Sequence, residues 1–154
     1  MKISLSIFII STLFASMQVK SSDFQIETVE DVKRVISIYR EARTSEAGFA
    51  AMAALMSFVE NSDLVFVEIK EDTLPWVMDA QINDELRHLM LAAYVIGNVD
   101  EQIKTNTKQN KHCAGALEVT QLIEQIEHSL PTAQVKLAKA RVVQSKQVGS
   151  CNKT

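Results

Sequence analysis

Four side chains have the types and spacing of metal or acid–base chemistry. Glu85-Leu-Arg-His88 carries the Glu-x-x-His spacing that sets two ligands on one helical face, and Glu124 stands four residues before His128. Carboxylate-bridged metal bundles use two such pairs plus two further Glu, all directed inward. At about 100° per residue, His88 falls roughly 200° from Leu86, on the side away from Leu86, Leu89, Met90 and Ala93. His128 likewise falls opposite Val119, Ile123 and Ile126. Both histidines are therefore expected in solvent, and no metal site is expected. The chain also has no Gly-x-Ser-x-Gly elbow, no phosphate-binding Gly-rich loop and no His-Glu-x-x-His. No catalytic residue and no cofactor are expected.

The cysteines need a compartment before they have a meaning. Lys2 is followed by an apolar run, Ile3 to Phe14, and then by small residues. A dozen apolar residues are too few for a span of about 20, but they suit a secretory leader. Val19 and Ser21 fit the −3 and −1 positions of a cut near Ser21, and Ala15 is a second candidate. The expected organisation is a signal peptide over 1–21 and a single helical domain over 22–154, periplasmic or secreted. A buried first helix and a retained anchor are the alternatives. No later segment reaches the length of a membrane span, and Ala47–Met56 is cut short by Ser57 and Glu60. In an oxidising compartment the only two cysteines, Cys113 and Cys151, are expected to pair.

These residues must be positioned by helices. Among 154 residues only 4 are Gly and 2 are Pro, which argues against many-turned β architectures. A net charge of −3 gives no electrostatic case for nucleic acid. The expected class is all-α, a five- or six-helix bundle with one disulfide. Thr28 reads as the cap of a first helix carrying Val32, Val35, Ile36 and Tyr39, with a break at Arg43–Ser45. A second helix begins near Glu46 and stops at Asn61–Asp63. Leu64–Ile69 reads as a short helix or an extended connector. Thr73 and Pro75 are expected to open a third helix, Gly97 to close it, and Asn98 with Glu101 to cap the next piece. After a polar stretch from Lys104 to Lys111, an amphipathic helix spans Ala116–Leu130. Pro131 then resets the chain into a last helix, Ala133 to about Gln147.

Charge divides along the chain. Residues 60–101 hold ten acids against two bases, and residues 102–154 hold eight bases against three acids. The halves either pack against each other or present a polarised surface to a charged partner. Lys136, Lys139, Arg141, Lys146 and Lys153 form a tail with no interleaved aromatic, so no nucleic-acid partner is expected. Within the acidic half, Glu68, Glu71, Asp72 and Trp76 are the candidate protein-binding residues, since Trp76 is the only Trp and sits beside acids. Its alternative role is a core Trp at the start of a helix. Met52, Met56, Met78 and Met90 with Phe49, Phe58 and Phe66 raise a second possibility, a carrier of an apolar small molecule. Asn152-Lys-Thr154 has the form of a glycosylation sequon.

One order of features goes further. Tyr94-Val-Ile-Gly97-Asn-Val-Asp100 precedes Cys113; a helix with Gln121-Leu122-Ile123, then Pro131, a further helix and Cys151 follow. This order resembles the helical periplasmic immunity family of type VI secretion, whose members neutralise peptidoglycan amidase toxins. The chain differs from that pattern in having no earlier cysteines and no Pro soon after Cys113. The resemblance implies an all-α fold, a Cys113–Cys151 bridge, a homodimer, and inhibition by occlusion without catalysis. It also implies structural roles for Tyr94 and Gly97, and a secreted toxin or envelope enzyme as partner.

Overall fold

Each of the first three helices is started by a side chain that accepts a backbone N–H left over in its first turn. A computed structural model describes residues 24–151. The expected leader at 1–21 with its expected cut near Ser21, Lys153 and the sequon at Asn152 lie outside the described residues. Helix α1 (Val29–Glu41) opens on a capping box: Thr28 Oγ1 accepts from Asp31 N–H at 3.2 Å, and the Asp31 carboxylate accepts from Thr28 N–H at 3.1 Å. Ser45 caps α2 (Glu46–Asn61) through Gly48 N–H at 3.2 Å. Asn83 caps α3 (Asp84–Thr105) through Leu86 N–H at 2.8 Å. Helix α4 (His112–Ile126) runs into a 3₁₀ turn, Glu127–Ser129, and Pro131 precedes α5 (Thr132–Val148).

The chain is all-α, with five α-helices, no strand among the described residues, and one disulfide joining Cys113 to Cys151 across a Cα–Cα distance of 5.3 Å. The bridge ties the start of α4 to the end of α5. The bridged residues are 38 apart in sequence, and closing a loop of that length contributes about 4 kcal/mol on the chain-entropy account.

Helix α3 is the shared wall of two apolar clusters. Its Leu86, Leu89, Met90 and Tyr94 meet Leu122 and Ile123 of α4, Val142 of α5, and Leu74 and Trp76 of the segment before α3. On its other side Val95, Ile96 and Val99 meet Val32, Val35, Ile36 and Tyr39 of α1 and Ala51 and Leu55 of α2. Tyr94 through Asp100 is buried without a break, as the all-round apolar sequence there requires. Buried ion pairs cross the α1–α3–α4 junction. Arg40 bridges Asp100 at 2.8 Å and Glu118 at 2.6 Å, and Arg43 pairs with Glu118 at 5% and 3% side-chain exposure. Removing one partner would strand a buried charge, at a cost of roughly 3–5 kcal/mol.

Three sequence expectations are corrected. Thr73 and Pro75 do not open a helix; the chain runs through turns from Lys70 to Ile82, and α3 begins only at Asp84. The Asn83 amide, followed by Asp84 and Glu85, makes a better helix start than Pro75, whose neighbours Leu74 and Trp76 are drawn into the core. Gly97 does not close α3, and Asn98 and Glu101 cap nothing; α3 continues to Thr105 and ends on Asn106 in the left-handed region, φ 48°. Leu64–Ile69 forms no helix, which leaves the connector of the two forms offered.

Gly97 serves a different purpose. A Cβ there would stand 2.5 Å from Glu118 Cβ and 2.6 Å from the Ala114 carbonyl oxygen, so its absence sets how closely α4 approaches. Gly115 makes the reciprocal approach, since its Cβ would meet the Tyr94 ring at 2.6 Å. Gly97→Ala gains about 1 kcal/mol of helix propensity. It also forces a methyl against backbone, which costs about 1–3 kcal/mol. We expect net destabilisation, read as a lower urea midpoint with unchanged slope; a midpoint equal to or above wild type would refute the close-approach role.

Candidate docking surface

The segment between α2 and α3, Ser62–Asn83, crosses the face formed by α3, α4 and α5 without a helix of its own. Such a strap has 22 residues of backbone donors and acceptors to satisfy. Side chains of the helices do much of that work. Gln102 on α3 holds both groups of Phe66: its Oε1 accepts from Phe66 N–H at 2.9 Å, and its Nε2 donates to the Phe66 carbonyl at 2.8 Å. Asn110 Oδ1 accepts from Glu68 N–H at 3.1 Å and from Asn98 Nδ2 at 2.6 Å. Asn98 Oδ1 in turn accepts from Gln102 Nε2 at 2.7 Å and from Lys111 N–H at 2.8 Å. Asn98 and Gln102 are buried, so this amide chain works in a low-dielectric setting where each bond counts for more.

A second polar chain holds the strap further along. The Tyr94 hydroxyl lies 3.1 Å from His112 Nδ1 and donates to the Glu68 carbonyl at 3.5 Å. His112 Nε2 lies 3.0 Å from the Ser145 carbonyl, and Ser145 Oγ donates to the Thr73 carbonyl at 2.6 Å. Burial pushes the Tyr94 phenol above its usual range, which keeps it a neutral donor. At the far end Arg141 of α5 donates through Nε to Asp79 at 2.7 Å, and Gln134 holds Gln81 and Asn83. The Asp79–Arg141 pair joins the acidic half of the chain to its basic last helix.

The structure separates the four candidate binding residues. Trp76 is at 0% exposure, edge-on to Tyr94 with ring centroids 6.3 Å apart, so in this fold it is a core residue and not a surface anchor. Glu71 and Asp72 are exposed in the turn that precedes it. Glu68 is half-buried, and its carboxylate takes Lys70 at 2.7 Å, which raises the Lys70 ammonium above its ordinary range. Tyr94 lies in the first apolar cluster, and Gly97 lies where α3 meets α4. His88 and His128 are exposed, as are Glu85 and Glu124. Among the described residues no group of three His, Cys, Asp or Glu could hold a metal ion, and no helix is long and apolar enough to cross a membrane. The Met and Phe side chains do not converge. Met90 lies in one cluster, Met52, Met56 and Phe58 pack on the other, and Phe66 and Met78 are exposed.

Large apolar side chains face outward on the strap beside its acids. Of nine exposed large hydrophobic residues among the described residues, four lie here: Leu64, Phe66, Ile69 and Met78. Leu64 also forms one wall of an open groove of about 650 Å³ with Phe24, Ile26, Ala54 and Phe58, rimmed by Glu27, Asn61 and Asp63. Sequence reasoning missed the residues that make this surface rigid. Their signal was present: Asn98 and Gln102 are polar interruptions four apart in an otherwise buried helix, a spacing that puts both on one face.

No protein-family model, characterised protein or solved structure matches this chain.

Two measurements test the strap's anchoring. Gln102→Leu keeps the volume but leaves Phe66 N–H and C=O without their partner, at about 1–3 kcal/mol for each stranded group. We expect faster amide exchange through residues 64–70 and a lower denaturation midpoint; unchanged exchange there would show that the strap is held by other means. Asp79 is held below its ordinary 3.8 by Gln81 N–H and then by Arg141. A carboxyl depressed in the folded state adds stability that is complete above about pH 4–5 and is lost as pH falls through the folded value. Asp79→Asn should therefore be less stable than wild type at neutral pH and lose less on acidification to roughly pH 3. Parallel midpoint-versus-pH curves for the two proteins would rule out the contribution.

Proposed function

We propose that this chain is an exported helical protein that binds another protein and blocks it by occlusion. The partner suggested by the type VI immunity resemblance is a secreted peptidoglycan amidase toxin. The observation that carries this reading is the concentration of exposed Leu64, Phe66, Ile69 and Met78 on one anchored strap beside the acids Glu71 and Asp72. Exposed apolar residues gathered on a held backbone are a common mark of an interaction site. Rigidity supports the reading as well, because a surface fixed before binding loses less conformational freedom on contact. A secretory leader and a cross-linked pair of cysteines suit work in the periplasm or outside the cell.

Occlusion asks nothing catalytic of the blocker. It asks for a protrusion that fills a cleft and for a few residues that carry most of the energy. With Trp76 in the core, Phe66 becomes the exposed aromatic of the strap, at 49% exposure. A second reading, a carrier of an apolar small molecule, draws on the groove beside Phe24 and Phe58. Native mass spectrometry of protein taken from its own compartment separates the two, since a retained lipid-like mass would favour the carrier.

The direct test is to search the gene's neighbours for an amidase and to run a peptidoglycan-hydrolysis assay with that enzyme. We expect stoichiometric inhibition by the oxidised protein, weakened about tenfold or more by Phe66→Ala if Phe66 is an anchor worth at least ~1.4 kcal/mol. Full hydrolysis at a molar excess of wild-type chain would end the blocking proposal.

A further inference from the structure

In an extended segment, successive residues turn their N–H and C=O groups to opposite edges. Between Leu64 and Lys70 one edge is engaged at Phe66 and Glu68. Phe66 exchanges both of its groups with Gln102, while Glu68 gives its N–H to Asn110 and receives the Tyr94 hydroxyl. Gln102 and Asn110 thus take the place of a neighbouring strand. The other edge belongs to Val65, Val67 and Ile69. None of these makes a backbone hydrogen bond among the described residues. Val65 starts this edge below the surface, Val67 is half-buried, and Ile69 is 46% exposed. An unpaired edge of this kind, held straight from behind, is a template for one more strand.

Charge decides what kind of strand fits. Along the chain the edge is flanked by Glu60, Asp63, Glu68, Glu71 and Asp72, against Lys70, already paired with Glu68, and Lys108, which shares a cleft with Asp63 and Leu64. A second copy of the chain, laid antiparallel about Val67, would set Asp63 opposite Glu71 and bring a like-charged edge against this one. Like charges placed directly across a strand pair are unfavourable. We propose that Leu64–Lys70 is a docking edge that receives an extended, Lys/Arg-flanked segment of another protein as an added strand, paired through Val67 and Ile69. The exposed side chains of Leu64 and Phe66 would lie against its apolar residues. This rests on the reading that the chain works by binding another protein, and it names the mode and the chemistry of that contact.

The test uses the full oxidised chain without its leader, isotope-labelled, and a synthetic peptide of alternating Val and Thr with Lys at both ends. We expect salt-dependent binding, with new amide protection at Val67 and Ile69. N-methylation of alternate peptide amides should abolish binding in one phase of the alternation and spare it in the other. A peptide with Glu in place of Lys should bind at least about tenfold more weakly, and Glu71→Lys/Asp72→Lys should weaken the Lys peptide roughly fivefold. These two residues are exposed, so the variant tests the charge without disturbing the core. No binding at millimolar peptide, or binding that leaves Val67 and Ile69 unprotected, overturns the proposal. So does concentration-dependent dimerisation that protects the same amides without peptide, which would give the edge to a second copy. Amidase inhibition that survives Glu71→Lys/Asp72→Lys and leaves these amides exchanging freely would sink the docking edge while the blocking role stands.

Discussion

Two helices touch backbone to backbone in this protein because Gly97 and Gly115 carry no side chain where α3 meets α4. The tolerances are small: a methyl group at either position would sit well inside van der Waals contact with the opposite helix. Much else follows from that approach. It brings Glu118 beneath Arg40 and Arg43, so that the end of α1 is fastened by charge to α4 as well as packed along α3. It sets the Tyr94 ring against Gly115 with its hydroxyl at His112, the first residue of α4. His112 in turn reaches Ser145 on α5, next to the end that Cys151 secures.

The strap between α2 and α3 depends on this frame. It has few ways to satisfy its own backbone, so α3 lends it the Gln102 amide and the Tyr94 hydroxyl, the α3–α4 connector the Asn110 amide, and α5 the Ser145 hydroxyl and the Arg141 guanidinium. A connector held this way combines a fixed course with an exposed outer surface, as an interaction site needs. The cost of ordering it is met during folding and not at the moment of contact.

Much of the fold was legible because it rests on short-range signals. The Thr28 cap, the breaks at Arg43–Ser45 and Asn61–Asp63, and the reset at Pro131 are each written within a few residues. The pairing of Cys113 with Cys151 followed from there being only two. What was not legible depends on contacts between residues distant in sequence. Pro75 has the local form of a helix start, but Leu74 and Trp76 are worth more buried against α3 and α5 than a first turn would have been. Gly97 has the local form of a helix stop, and only the nearness of Ala114 and Glu118 reveals it as a spacer. The candidate surface was half legible. Glu71 and Asp72 are exposed where the acid-rich segment suggested, while Trp76 points inward, since an indole of that size gains more from the core than a solvated edge could return.

The burial of that one indole has an optical consequence. Trp76 is the sole tryptophan, it lies on the strap, and Tyr94 of α3 stands within energy-transfer range at 6.3 Å. Lifting the strap from the helices would carry the fluorophore from apolar surroundings into water. Its emission would then shift to the red and lose the contribution sensitised by tyrosine. The molecule thus contains its own gauge of whether the strap is seated, readable without any label.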